Sequence, residues 1–189
     1  MIKRKILIGS PIHQKPQILK EFFKSLKELN KENLDVDYYF VDDNNNHESS
    51  ELINIFSEEE KNVYIYKSSE KDVYICDDNT HHWKEQLIWK VARFKDIIIN
   101  FARKNNYDYL FLIDSDLVLH PETLKHLISS GKEIISEIFW TKWQPHSNPL
   151  PQVWMSDVYT QYYKSRDEKL SQNEIIKRHR EFLDKLKKP

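Results

Sequence analysis

Apolar residues recur along this chain with two different spacings, and the spacing changes about every fifteen residues. Lys5 to Gly9, "KILIG", is a short buried-type strand stopped by Gly-Ser-Pro. In "KPQILKEFFKSLKELN", Leu19, Phe22, Phe23, Leu26 and Leu29 fall on one helical face. Val36 to Val41 reads as a second strand, running into Asp42-Asp43 and three asparagines. "SSELINIFSEEE" predicts a short helix capped by Ser49 or Ser50. "NVYIY" predicts a third strand, and "VYIC" offers another. The longest helix is expected over "KEQLIWKVARFKDIIINFARKN", where Leu87, Val91, Phe94, Ile98 and Ala102 keep helical spacing. Tyr109 to Ile113 is the most apolar strand. Pro121 suits the first turn of a helix to about Ser130, with Glu122 near its positive end. "KEIISEIFW" reads as a strand. Residues 140–170 form an expected long loop region rich in proline and tryptophan. Residues 171–188 predict a C-terminal helix, with Ser171 and Glu174 at capping-box spacing and Ile175, Ile176, Phe182, Leu183 and Leu186 on its apolar side.

Strands alternating with helices predict an α/β fold, a three-layer sandwich on a mostly parallel sheet, with residues 1–189 as a single domain. Ligands in such sheets sit at the carboxyl ends of the strands. Three of these ends carry polar groups: Ser10-Pro11, Asp42-Asp43 and Asp114-Ser115-Asp116.

Composition narrows the chemistry. Hydrophobic residues make up 39% and aromatics 13%, enough for a packed core. Lysine and arginine number 29 against 30 acidic residues, net −1, so no global field draws the chain to nucleic acid. One cysteine, Cys76, forbids an internal disulfide and fits a reducing, cytoplasmic setting. No apolar run approaches the ~18 residues of a membrane span. With glycine only at 9 and 131, neither a G-x-G-x-x-G turn nor a G-x-x-x-x-G-K-[ST] phosphate loop can be written in this sequence.

Asp114 and Asp116 end the most apolar strand one residue apart. Carboxylates this close repel unless a cation lies between them. Hard oxygen ligands suit Mg²⁺ or Mn²⁺, which bridge carboxylates to substrate phosphates and neutralise a leaving phosphate. A metal clamp would also replace the missing phosphate loop. The bland alternative is that D-x-D arises by chance in so acidic a chain. Cys76, Asp77, Asp78, His81 and His82 form a second polar group, read as a polar loop rather than a structural metal site. His120 reads as a helix-entry residue. Trp140, Trp143 and Trp154 are either sugar-stacking or anchoring aromatics.

"ILIGSP", "YYFVDD", a long helix and "YDYLFLIDSDLVLHPETL", in that order, resemble the GT-A glycosyltransferases, family 2-like. The chain is similar, too, to the subgroup containing collagen-modifying galactosyltransferases and fungal mannosyltransferase complex subunits. The resemblance covers roughly residues 5 to 140. It implies a GT-A nucleotide-diphospho-sugar transferase fold, cut off after its donor-binding half. It also implies a divalent metal, Mn²⁺ or Mg²⁺, held by Asp114 and Asp116. Asp116 would be the more direct metal ligand, Asp114 would lie nearer the donor's ribose or sugar, and Ser115 would also belong to the donor site. Asp43 or Asp42 would hydrogen-bond the nucleotide base, Ser10 and Pro11 would line the base and ribose pocket, and Arg93 and Lys95 would approach the nucleotide. The implied partners are a nucleotide-sugar donor, with a UDP-sugar favoured, and an acceptor hydroxyl. Inversion is the expected outcome. No general base is matched, and Asp157, Glu168 and Glu174 read as surface carboxylates. The rival readings are a non-catalytic nucleotide-sugar-binding module, a nucleotidyltransferase and, less favoured, a metal-dependent hydrolase.

Overall fold

The structure, a computed structural model, describes residues 3–69, 84–142, 146–155 and 160–186. The cysteine-histidine group at 76–82, the "VYIC" strand, Trp143 and Asp157 lie outside those residues. The chain divides into two compact units, residues 1–134 and 135–189.

The first unit is a parallel sheet between helices. Strands β1 (Arg4–Ile12), β2 (Leu34–Asp42), β3 (Val63–Lys67) and β4 (Tyr109–Leu112) lie in the order β3-β2-β1-β4. Every pairing is parallel: Ile8 is opposite Tyr38 on one side and Phe111 on the other. The intervening helices are α1 (Pro16–Glu28), α2 (His47–Glu59) and α3 (Glu85–Lys104), and α4 (Thr123–Ser129) follows β4.

Strand alternation sorts the side chains into two cores. Ile8 and Ile12 of β1 and Tyr38 and Phe40 of β2 pack with α1 and α2. Leu7 and Val41, one residue out of phase, pack with Phe94, Ile98 and Ala102 of α3. Helices therefore cover both faces, which makes three layers. The first core is strongly aromatic. Phe23 stacks on Phe56 at 4.6 Å, and Tyr38 meets Phe56 edge-on at 5.1 Å. Each such buried side chain contributes about 1.5–3 kcal/mol.

A chain with two glycines must turn by other means. Asn33, Asn62 and Asn106 precede β2, β3 and β4, and all three take positive φ, at 62°, 56° and 53°. Asparagine tolerates this left-handed region because its short amide can bond locally. Gly9 is needed for a different reason. A Cβ there would lie 2.3 Å from Ile98 Cγ2, so α3 can cross β1 only over a bare Cα.

Several expected boundaries move. Helix α2 begins at His47 and is capped by Asn46, whose side chain accepts from Glu48 N at 2.8 Å, not by Ser49 or Ser50. Helix α4 starts at Thr123, two residues after Pro121, because the Pro121 carbonyl accepts from Asn30 N and the Glu122 carboxylate from the Asn30 amide. Of the strand expected over "KEIISEIFW", only the last residue, Trp140, lies in a strand. Residues 132–139 pair with no strand among the described residues, and Ile134 is 94% exposed. Alternating apolar residues without a partner edge make no ladder.

The second unit replaces part of the expected loop with a two-stranded antiparallel pair, β5 (Trp140–Thr141) and β6 (Leu150–Pro151). Gln161, buried, donates to the Pro151 carbonyl at 2.6 Å and meets His179 of helix α5 (Gln172–Leu186) at 3.1 Å. The Glu174 amide donates to Ser171 Oγ, one half of the expected capping box.

Candidate functional site

The sheet reverses direction at β1. The chain steps outward from β1 through β2 to β3, then α3 carries it back across to β4 on the far side of β1. Loops at the carboxyl ends of β1 and β4 consequently diverge and leave a crevice. A cleft of about 580 Å³ lies there. Residues 11–15 at the end of β1 and just beyond it, 43–46 after β2, 114–116 after β4, and Leu87, Val91, Phe94 and Lys95 of α3 line it. One wall is thus apolar and the rest polar.

The loops after β1 and β2 are tied together. Asp43 N donates to the Ile12 carbonyl at 2.9 Å, and Gln14 N to Asn44 Oδ1 at 2.9 Å. Ser49 Oγ donates to the Gln14 carbonyl at 2.7 Å. His13 Nδ1 lies 2.7 Å from the Asp43 carbonyl; that oxygen can only accept, so Nδ1 carries the proton.

The two adjacent aspartates do different work. Asp42 is buried and accepts from Asn44 N at 3.1 Å, Asn44 Nδ2 at 2.8 Å and Ser50 Oγ at 3.1 Å. It folds the loop and is not among the cleft-lining residues. Asp43 lines the cleft. Its carboxylate meets Lys90 Nζ at 2.9 Å, with His13 Nδ1 3.7 Å away. Burial pushes the Asp43 carboxyl up, but the nearby His13 imidazole, Lys90 and Ser68 outweigh it and hold Asp43 below the usual carboxylate range. The same contact raises His13 above the ordinary imidazole value, against the opposing effect of its burial.

Asp114, Ser115 and Asp116 all line the cleft. Both carboxylates are exposed to it, while Ser115 is buried between them. Lys95 Nζ lies 3.5 Å from Asp114 Oδ1. No group of three or more His, Cys, Asp or Glu suited to a metal occurs among the described residues. Two exposed carboxylates nevertheless fit Mg²⁺ or Mn²⁺, which take one or two carboxylates and complete their shells with phosphate and water.

The remaining expected site residues separate. Pro11 lines the cleft, whereas Ser10 is fully buried with its hydroxyl on the Pro11 carbonyl at 3.3 Å. Arg93 is exposed and is not among the lining residues. His120 Nδ1 accepts from Glu122 N at 3.2 Å, ahead of α4. Glu168 and Glu174 both pair with Arg178.

Sequence reasoning passed over His13, Gln14, Lys15, Lys90 and the cleft role of Asn44–Asn46. Lys90 carried a readable signal. It precedes Phe94, Ile98 and Ala102 at steps of four, so it occupies the buried face of α3 and must have a partner there. The loop residues carried none, since their placement depends on which strand ends meet.

A comparison with curated proteins finds no match. Residues 3–182, which include the whole sheet and every cleft-lining side chain, match the model of the glycosyltransferase family 25 N-terminal domain, and the chain belongs to that family.

Proposed function

We propose that the cleft binds a nucleotide-diphospho-sugar, in the manner of a GT-A glycosyltransferase, and presents the sugar for transfer to an acceptor hydroxyl. The observation that carries this reading is the convergence of Asp43, Asp114 and Asp116, from the ends of β2 and β4, on one cleft at the point where strand order reverses. Family membership supplies the reaction class, sugar transfer.

In this reading the apolar wall of Leu87, Val91 and Phe94 takes the flat faces of the base. Ionised Asp43 accepts a hydrogen bond from a base N–H, and Asn44–Asn46 offer amides to the base or ribose. A uracil imide suits such an acceptor, which favours a UDP-sugar. Asp114 and Asp116 hold the divalent ion, and a bound ion would neutralise the diphosphate and stabilise the departing nucleoside diphosphate. Lys95 of α3 and Lys15 of the loop after β1 add positive charge to the cleft.

The loop after β1 argues against a nucleotidyltransferase. Such an enzyme needs free backbone N–H groups to cradle a triphosphate. Here Gln14 N is bound to Asn44 and Lys15 N to Gln14 Oε1 at 2.8 Å.

The test is thermal unfolding with UDP-, GDP- and CMP-sugars and with nucleoside triphosphates, each with and without Mn²⁺. A ligand at 100 times its Kd stabilises by about 2.7 kcal/mol, or roughly 5–10 °C for a chain of this size. We expect a Mn²⁺-dependent rise with one class of nucleotide sugar. A rise with triphosphates alone would contradict the proposal.

A further inference from the structure

Lys90 is the most deeply buried cation among the described residues, only 2% exposed, and it sits in the apolar face of α3. Its Nζ lies 2.9 Å from Asp43 Oδ1 and 5.6 Å from the Phe94 ring centre. Lys90 does not itself line the cleft, but Asp43 does. Burying an ammonium is costly, and the chain offsets that cost beneath Asp43, the aspartate just after β2 that faces the ligand space. Surface lysines could have served a merely structural role on this helix.

We infer that Lys90 is a positioning residue for nucleotide recognition: from behind the cleft, its ammonium orients the Asp43 carboxylate and keeps it ionised, so that it can only accept a hydrogen bond from the base. This inference rests on the proposed donor site. It adds to it a residue that never touches the ligand but sets the charge of the group that does.

The groups facing Asp43 are Lys90 from α3, His13 from the loop after β1 and Ser68 from the end of β3. Without Lys90 the one cation left beside the carboxylate among the described residues is His13, when its imidazole is protonated. The carboxylate then takes up a proton at a higher pH than in the wild type. A protonated carboxyl donates where the base also donates, and binding falls.

The experiment follows binding of uridine and guanosine by NMR titration, without metal or phosphate, so that Asp114 and Asp116 do not enter. The tighter nucleoside is carried from about pH 5 to about pH 8.5 with the wild type, Lys90→Met and Lys90→Met/Asp43→Asn. Spectral dispersion verifies folding. Lys90→Met is expected to bind about tenfold more weakly than wild type near the acid end and within about threefold near the alkaline end, a displaced acid limb. Adding His13→Gln to Lys90→Met should displace it further. Should Lys90→Met fail to fold, the neutral pair in Lys90→Met/Asp43→Asn avoids the orphaned charge. That double variant is expected to fold and to bind weakly at every pH, with no acid limb. A Lys90→Met profile parallel to wild type, whether equal or uniformly weaker, would overturn the inference. So would a double variant that fails to fold or binds like wild type. A wild-type chain that binds neither nucleoside at any pH would instead defeat the donor-site reading itself.

Discussion

Asp42 and Asp43 are identical in chemistry and adjacent in sequence, yet one folds the loop and the other faces the ligand. Asp42 gathers three donors from Asn44 and Ser50. Asp42→Ala should therefore strand those donors and lower stability by about 1–3 kcal/mol, measured by urea unfolding. Asp43→Asn together with Lys90→Met, which removes both charges of the buried pair, should leave the loop standing and weaken nucleotide binding instead. The sequence shows two acids at a strand end but cannot say which points inward, because that depends on how β2 meets the loop after β1. His13 gives the pair a pH signature. Its imidazole is raised by Asp43, so its stabilising contribution is fully present below the ordinary value of 6.5 and is lost as pH rises through its higher folded value. Asp43 is depressed, so its contribution is present above the ordinary 3.8 and is lost as pH falls through its lower folded value. Together they favour mildly acidic to neutral pH. Urea midpoints should fall from about pH 6 to about pH 8, and His13→Gln should flatten that slope.

At the scale of elements, short apolar runs marked the four strands of the sheet and period-3.6 patterning the three helices between them, because the central strands are covered on both faces and each helix on one. It failed for residues 132–139. Residues 132–139 of "KEIISEIFW" alternate like a strand but pair with no strand among the described residues. The seat of α3 depends on Gly9, and the periodicity of α3 itself says nothing of that glycine. Gly9→Ala would drive a methyl into Ile98 and should cost about 1–3 kcal/mol. Adding Ile98→Ala should recover part of that loss. If Gly9→Ala unfolds at the wild-type urea concentration, α3 does not cross β1 as closely as described.

For the whole molecule, every cleft-lining residue and both hydrophobic cores belong to residues 1–134. A chain ending at Ile134 should therefore unfold cooperatively and keep the nucleotide site. Loss of either property would show that residues 135–189 are needed for it. The parallel order of strands was legible from alternating elements, but the strand order β3-β2-β1-β4 was not. That order turns three separate polar strand ends into one cleft, and no helix among the described residues is long and apolar enough to cross a membrane. The central claim is that this cleft holds a nucleoside diphosphate through a metal on Asp114 and Asp116. The most direct measurement is a calorimetric titration of UDP and GDP into wild type and Asp116→Asn, with and without Mn²⁺. The account predicts wild-type binding that strengthens at least about tenfold with Mn²⁺ and an Asp116→Asn variant in which that gain disappears. Binding equally tight without Mn²⁺, or a gain that survives Asp116→Asn, would contradict it.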